Sequence, residues 1–181
     1  MLEINFCPFP DIETERLSLR QAGLKDDNEI YQLKSDDAVL KYIKTPKCAS
    51  IEDARAFINK INLGITSNKW IFWGITAKET DRIMGTICLW NIDTERSKAE
   101  IGYDLLPCYQ GKGIMNEAMA AVIKYGFNRM QLCLIEAHTN PCNTKSIQLL
   151  QRNNFIASGM CHGGASPAGG IPDAIYNLYA K

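Results

Sequence analysis

The chain reads as a mixed α/β (α+β) fold: a largely antiparallel sheet flanked by helices, with one parallel β-α-β unit at its centre. Three observations predict this. Runs of period two and period 3.6 follow one another as strand, two helices, three strands, helix, strand, helix and two strands. A short polar turn, "KETD", joins two of the strands and makes them an antiparallel hairpin. The segment 98–139 puts a full helix between two strands, a crossover long enough to bring them together in parallel.

Each element has its own justification. "ERLSLR", Glu15 to Arg20, alternates apolar and polar residues and is the first strand. Asp26 to Lys34 is a short helix with Asp26 or Asp27 as its cap. Ser50 caps the helix in "SIEDARAFINKINLGI", where Ile51, Ala54, Phe57, Ile58 and Ile61 share a face. "KWIFWGITA" and "RIMGTICLWNI" are aromatic and β-branched, and form the hairpin. "KAEIGYDLL", Lys98 to Leu106, is the next strand, and Pro107 ends it because proline cannot donate to a ladder. A helix from Ile114 to about Arg129 follows, with Ala118, Ala121, Val122, Tyr125 and Met130 on one side. "LCLIEAHT", Leu132 to Thr139, is a buried strand. Asn143 to Asn153 is the last helix, and "FIASGM" and "DAIYNLYAK" are the closing strands.

Composition narrows the function. A length of 181 residues suits one domain with a substantial core, so residues 1–181 are taken as a single domain. Lys plus Arg and Asp plus Glu are 20 each, and that balance argues against a nucleic-acid binder, which would carry a basic face. No apolar run approaches the roughly 18 residues of a membrane span, and the start shows no basic region followed by an apolar one. The 7 cysteines are odd in number and form no CxxC pair. Reduced thiols in a cytoplasm are therefore expected rather than a disulfide framework or a zinc site.

The stretch "YQGKGIMNEAMAAVIKYGF", from Tyr109, holds two glycines around a lysine and then enters a helix. Gly111 and Gly113 can turn sharply, with φ > 0 if needed. The first N–H groups of the helix are unpaired and its dipole is positive outward, so the turn is an anion cradle made of backbone. The same residues would serve a plain strand-to-helix turn, and the spacing is neither GxGxxG nor GxxxxGK[ST].

The flanks decide between the two. "AEIGYDLLPCYQGKGIMNEAM", the later "YGF" and "IEAHTNPCNTKSIQLLQRNNF" resemble the GNAT acyltransferase superfamily. The branch most similar is that of the ribosomal-protein N-terminal acetyltransferases and their small-molecule relatives. In that family a Q/R-x-x-G-x-G/A pattern holds the pyrophosphate of acetyl-CoA. Here it reads Gln110, Gly111, Lys112, Gly113, Ile114 and Met115, the last a departure from the small residue. The opening "ETERLSLR" and the late Asp173-x-x-Tyr176-x-Leu178 also resemble the branch. The resemblance implies two splayed parallel strands with the pantetheine arm in the gap, paired to backbone near Leu105 and Leu106. It implies a pyrophosphate on the N–H groups of Lys112 to Asn116, and Asn143 as both pantetheine contact and helix cap.

Acetyl transfer needs an amine to lose a proton, an oxyanion to be stabilised and a thiolate to be protonated. A backbone N–H near Leu105 or Leu106 is the candidate for the oxyanion. Glu100, Gly102 and Asp104 share one strand face, so Glu100 is the candidate base with room beside Gly102, and Asp104 a weaker one. The same carboxylate would equally suit a solvated strand position or an ion pair. Many family members carry a tyrosine seven residues after the helix-opening asparagine; here that residue is Leu150, which cannot donate. Ser146, one turn beyond Asn143, is where the resembled branch places a serine near the sulfur, and it is the candidate proton donor. His138 lies in the buried-strand pattern and is expected to be packed. His162 sits in the glycine-rich tail loop and is a candidate for the substrate mouth, while Trp70, Trp73 and Trp90 read as core or rim aromatics. The chain is thus expected to be an acetyl-CoA-dependent N-acetyltransferase without metal. Its acceptor is a protein N terminus or a small amine, and it is a monomer or a homodimer. The alternative is a non-catalytic acyl-CoA-binding module.

Overall fold

A computed structural model describes residues 2, 4–160 and 172–180. Among them, eight strands form one sheet: β1 (Ile12–Glu13), β2 (Leu17–Arg20), β3 (Ile71–Ala77), β4 (Ile83–Asp93), β5 (Lys98–Leu105), β6 (Leu134–Thr139), β7 (Ile156–Met160) and β8 (Ala174–Tyr179). Their order is β1-β2-β3-β4-β5-β6-β8-β7. Every pairing is antiparallel except β5 with β6, the crossover expected from the sequence. The helices are α1 (Asp27–Ser35), α2 (Asp37–Leu40), α3 (Ile51–Thr66), α4 (Ile114–Asn128) and α5 (Thr144–Arg152). The short β1 and α2 carry too few residues for a periodic signal and were invisible in the sequence.

Local chemistry sets the boundaries. Ser50 accepts from Asp53 N–H at 3.2 Å, and the Asp53 carboxylate reaches back to the Ser50 N–H, so α3 opens on a reciprocal cap. Asp26 does precede α1, but its carboxylate binds Arg20 and the Gly23 N–H instead of capping the helix. Pro107 opens a single 3-10 turn, Pro107–Tyr109, that turns the chain from β5 toward α4.

The strand alternation sorts the apolar residues into two cores. Leu17, Leu19, Ile71, Trp73, Ile75, Ile87, Leu89, Ile101 and Ile135 face α4 and α5 and meet Ala118, Met119, Val122 and Leu150. On the other face Ile83 and Phe72 meet Ile30 of α1 and Ala54, Ile58 and Ile61 of α3. Both faces of the sheet are thereby covered, and the functional features lie where that cover is interrupted. Among the described residues no helix is long and apolar enough to cross a membrane.

Candidate active site

The central parallel pairing is short. β6 meets β5 at Lys98–Leu134, Ala99–Ile135 and Glu100–Glu136, and no further rung follows. Beyond Glu100, β5 stays with β4 as far as Gly85–Leu105, and β6 stays with β8 as far as Thr139–Ala174. A gap therefore opens between their C-terminal halves. The Leu106 N–H donates to the Met84 carbonyl at 3.0 Å, which fixes the alternation of the ladder. Even-numbered backbone groups of β5 face β4, and the N–H and C=O of Tyr103 and Leu105 face the gap. This corrects one expectation: the Leu106 N–H is already spent on Met84, so of the two residues only Leu105 turns its N–H toward the gap.

At the far end of β5 stand the glycines. Gly111 and Gly113 both have φ of 76°, the left-handed region, and Gly113 is the N-cap of α4 without a side chain to offer. The first α4 bond of this turn runs from the Glu117 N–H to the Gly113 carbonyl at 3.0 Å. The N–H groups of Ile114, Met115 and Asn116 precede it, so the helical ladder gives them no acceptor. The Met115 side chain is buried, so its departure from a small residue points away from the cradle. Gln110 Nε2 donates to the Leu105 carbonyl at 3.0 Å and its Oε1 accepts from Lys145 Nζ at 3.1 Å, tying β5 to α5. Lys112 Nζ lies 5.8 Å from the centre of the Tyr109 ring, and Asn116 Oδ1 accepts from Asn153 Nδ2 at 3.0 Å. From the other side, Glu117 accepts from Thr14 Oγ1 at 2.6 Å, the Arg16 N–H at 2.9 Å and Arg16 Nε at 2.7 Å. Arg16 Nη1 donates to the Lys112 carbonyl at 3.2 Å, so the turn before β2 braces the cradle.

Hydroxyl groups line the α5 side of the gap. Asn143 caps α5 by accepting from the Ser146 N–H at 3.2 Å, and this fixes the serine at the helix mouth. Ser146 Oγ accepts from Thr139 Oγ1 at 2.9 Å and lies 2.8 Å from the Tyr103 hydroxyl. The chain joins β5, α5 and β6 across the very gap. Burial pushes the Tyr103 phenol up to about 12, opposed by its bond with Ser146, so it stays a donor at neutral pH. Leu150 lies wholly in the core. Tyr103 had no place in the sequence reading, although the alternation of "AEIGYDL" puts it on the side opposite Glu100, toward α5.

The opposite face carries the acids. One rung crosses the sheet there as Trp90, Glu100, Glu136 and Asn177. Burial raises the Glu100 pKa; nearby Glu136 and Asp173 raise it further, while His138 and a hydrogen bond with Asn91 hold it back. His138, expected in the core, is instead an exposed residue with Nδ1 at 4.0 Å from Glu100 Oε1. The pattern "IEAHT" contained the correction, since Ile135, Ala137 and Thr139 face inward and Glu136 and His138 the other way. The room expected beside Gly102 is filled: a Cβ there would meet Cys88 Sγ at 3.1 Å and Trp90 Nε1 at 3.5 Å. Trp90 is 44% exposed and walls a cleft of about 600 Å³ shared with Trp70, Asn91, Ile92, Leu2 and Ile4, whereas Trp73 is core. Asp104 is held in a buried pair with Lys34 and also accepts from the Thr86 N–H at 3.1 Å. It is thus committed to the fold and is not the alternative base. The tail-loop histidine, His162, lies outside the described residues.

Comparisons with known proteins agree on a family. Residues 16–156 match the acetyltransferase (GNAT) domain. An uncharacterised N-acetyltransferase of Bacillus licheniformis, p20, is 40% identical over 147 residues, 81% of this chain and 83% of its own. The ribosomal-protein-serine acetyltransferase of Escherichia coli is 33% identical over 101 residues, 56% of this chain and 55% of that one. The crystal structure of a GNAT-family acetyltransferase from Bacillus anthracis superposes with a TM-score of 0.81 at 28% identity, over 94% of this chain and 98% of that one.

The buried acid has a consequence for stability. The Glu100 pKa is raised in the folded chain above its unfolded value of about 4.3, so its ionisation opposes folding. That cost is absent below the unfolded value and grows as pH rises through the folded one. Glu100→Gln, uncharged throughout, is expected to raise Tm at pH 7.5 and to leave it nearly unchanged at pH 3.5. Paired thermal melts check this. A variant less stable than wild type at pH 7.5 would show that the site stabilises the carboxylate.

Proposed function

The chain belongs to the acetyltransferase (GNAT) domain family, and from that premise we propose that it moves the acetyl group of acetyl-CoA to a primary amine, with a protein N-terminal α-amine as the preferred acceptor. The proposal treats residues 1–181 as one such domain. The observation that carries it is the gap between β5 and β6, with a left-handed glycine cradle at one end and a largely buried carboxylate at its vertex.

Each part of the reaction then has a residue. The pyrophosphate sits on the N–H groups of Lys112 to Asn116, beside the side chains of Gln110 and Lys112. Gly111 and Gly113 let it approach the backbone. The pantetheine arm runs along β5 as a substitute strand on Tyr103 and Leu105, with Asn143 across the gap. The amine arrives on the Trp90 face and gives its proton to Glu100. Its lone pair attacks the thioester carbon, and a backbone N–H of β5 that faces the gap holds the oxyanion. When the C–S bond breaks, Ser146 gives its proton to the sulfur, and the proton that the adduct nitrogen sheds as the amide forms returns to the serine through water. Ser146 is suited to this because Thr139 and Tyr103 can both donate to its oxygen, which turns its single proton outward. Donor and acceptor thus meet in the gap from opposite faces of the sheet.

The acceptor preference rests on proton chemistry and on one relative. An α-amine has a pKa of about 7.7–8.0 and a lysine side chain about 10.4, so at pH 7 the lysine is neutral in less than about a thousandth of molecules. A site with a single carboxylate base suits the easier amine. The similar Escherichia coli protein is named for ribosomal-protein acetylation. Small amines of low pKa satisfy the same proton argument.

Release of the CoA thiol, measured with a panel of amines, tests the function. Short peptides with unblocked N termini should outperform N-terminally blocked peptides with an internal lysine at pH 7. Equal rates for both would end the α-amine preference, and no thiol release with any amine would favour a non-catalytic acyl-CoA binder.

Two substitutions test the donor side. Gly113→Val sets a branched residue at φ of 76° with its Cβ 3.4 Å from Arg16 Nη2. Acetyl-CoA affinity should fall more than about tenfold, or ~1.4 kcal/mol, and calorimetry reads it directly. Ser146→Ala should cut turnover by about tenfold to a hundredfold while acetyl-CoA affinity stays the same. Wild-type turnover in that variant would return Ser146 to a packing role.

A further inference from the structure

The contact between His138 and Glu100 is not used in the steps above, yet its placement is specific. Glu100 is the last residue of β5 paired with β6, opposite Glu136. His138 stands two residues further along β6, on the same face, where the strands have begun to part. Its Nδ1 is 4.0 Å from Glu100 Oε1, and the two side chains are 28% and 12% exposed. The histidine therefore lies between a nearly buried carboxylate and solvent.

The neighbours of Glu100 leave this role to His138. From β6 come His138 and Glu136, from β4 the polar Asn91, and from the residue before β8 comes Asp173. Glu136 is paired with Lys98 Nζ at 2.8 Å, and Asp173 with Lys44 Nζ at 2.8 Å. On the side of α1 and α3, Lys34 is committed to Asp104. Among the described residues, each of the other carboxylates around the vertex has its own lysine, and the basic group facing Glu100 is the imidazole.

We propose that His138 is a positioning residue for the Glu100 base, holding its carboxylate ready for the amine and carrying its proton out to solvent. This rests on Glu100 being the base. The amine's N–H bond breaks as a Glu100 O–H bond forms. That proton then passes to the lone pair of His138 Nδ1, and the imidazolium returns it to water. The carboxylate is restored, and no other reactant is needed. One water spans the separation of 4.0 Å. Burial alone would keep Glu100 protonated to higher pH, and a cationic imidazole works against burial.

The test is the pH profile of kcat/KM in His138→Gln, expressed per neutral acceptor amine so that the amine's own titration drops out, using the enzyme with acetyl-CoA and a peptide acceptor. Its acid limb should move to higher pH by about half a unit or more. Turnover at pH 6.5 should fall by a factor of about three or more, and turnover near pH 9 should stay close to wild type. Acetyl-CoA affinity should not change. His138→Ala should regain activity at pH 6.5 when imidazole is added. An acid limb unmoved in His138→Gln, or no rescue of His138→Ala, overturns the proposal. Glu100→Gln separates the two layers. If it abolishes the acid limb while His138→Gln leaves the limb in place, only the role of His138 falls. If it leaves turnover and limb intact, the base assignment itself falls.

Discussion

The structure depends on a ladder that stops. β5 and β6 share three rungs and then separate, although each continues for several residues beside its outer neighbour. Strands twist, so two strands held by different outer partners diverge unless their own pairing holds them. Here the pairing is given up after Glu100 and Glu136. The cost is a row of backbone N–H and C=O groups on β5 without strand partners, and such groups require others. Gln110 satisfies the Leu105 carbonyl. Tyr103, Ser146 and Thr139 bridge the strands with hydroxyl groups in place of amides. What remains open along β5 has the hydrogen-bonding character of a missing strand, which is the shape of an extended chain of amides such as pantetheine.

The surroundings brace the elements on either side of that gap. On one face the buried pair of Lys34 with Asp104 fixes α1 to β5, with Lys34 Nζ 4.9 Å from the centre of the Phe57 ring of α3. Removing one partner of such a pair strands a buried charge, at a cost of about 3–5 kcal/mol, so the pair holds the helices over the sheet firmly. On the other face Glu117 gathers Thr14 and Arg16 onto the first turn of α4. Burial opposes its ionisation, but the bonds from Thr14 and Arg16 prevail and hold Glu117 below the usual carboxylate range. Its charge also lies near the positive end of α4, where an acid is favoured. The cradle glycines are therefore flexible residues in a rigid frame.

The parts of this arrangement differ in how far the sequence displays them. The β-α-β unit was legible because Pro107, Gly111 and Gly113 punctuate it, and the cap at Ser50 was legible because capping is local, although the return bond from Asp53 was not read. Ser146 and Asn143 were found through the resemblance to the GNAT superfamily, whose similar branch places a serine one helical turn beyond the helix-opening asparagine. The sequence did not show which way each N–H of β5 points, because that depends on the register with β4. Leu106 was therefore credited with an N–H that Met84 already takes. His138 was placed in the core because its strand is apolar overall, and period-two alternation had to be applied strictly to see that it shares a face with Glu136. Trp90 over Gly102 and the separation of Asp104 from the other acids depend on cross-sheet neighbours, and no local pattern encodes those.

The leucine at position 150 now has a physical account within the proposed reaction. A tyrosine at that point of α5 would have to sit where Leu150 is fully buried against the core. A phenol needs a hydrogen-bond partner when buried, and the core there is apolar. This chain brings a phenol to the same gap from the strand instead. Tyr103 projects from β5 and meets Ser146 at 2.8 Å, so the serine hydroxyl becomes the terminal group and the phenol stands behind it. The exchange shortens the reach of the donor from the helix while keeping an aromatic hydroxyl in the chain. It also makes the donor dependent on two strands at once, since Thr139 of β6 supports Ser146 from the other side. The parting of β5 and β6 thus positions the proposed proton donor as well as the proposed seat of the cofactor, and on this reading the two features arise from one geometric fact.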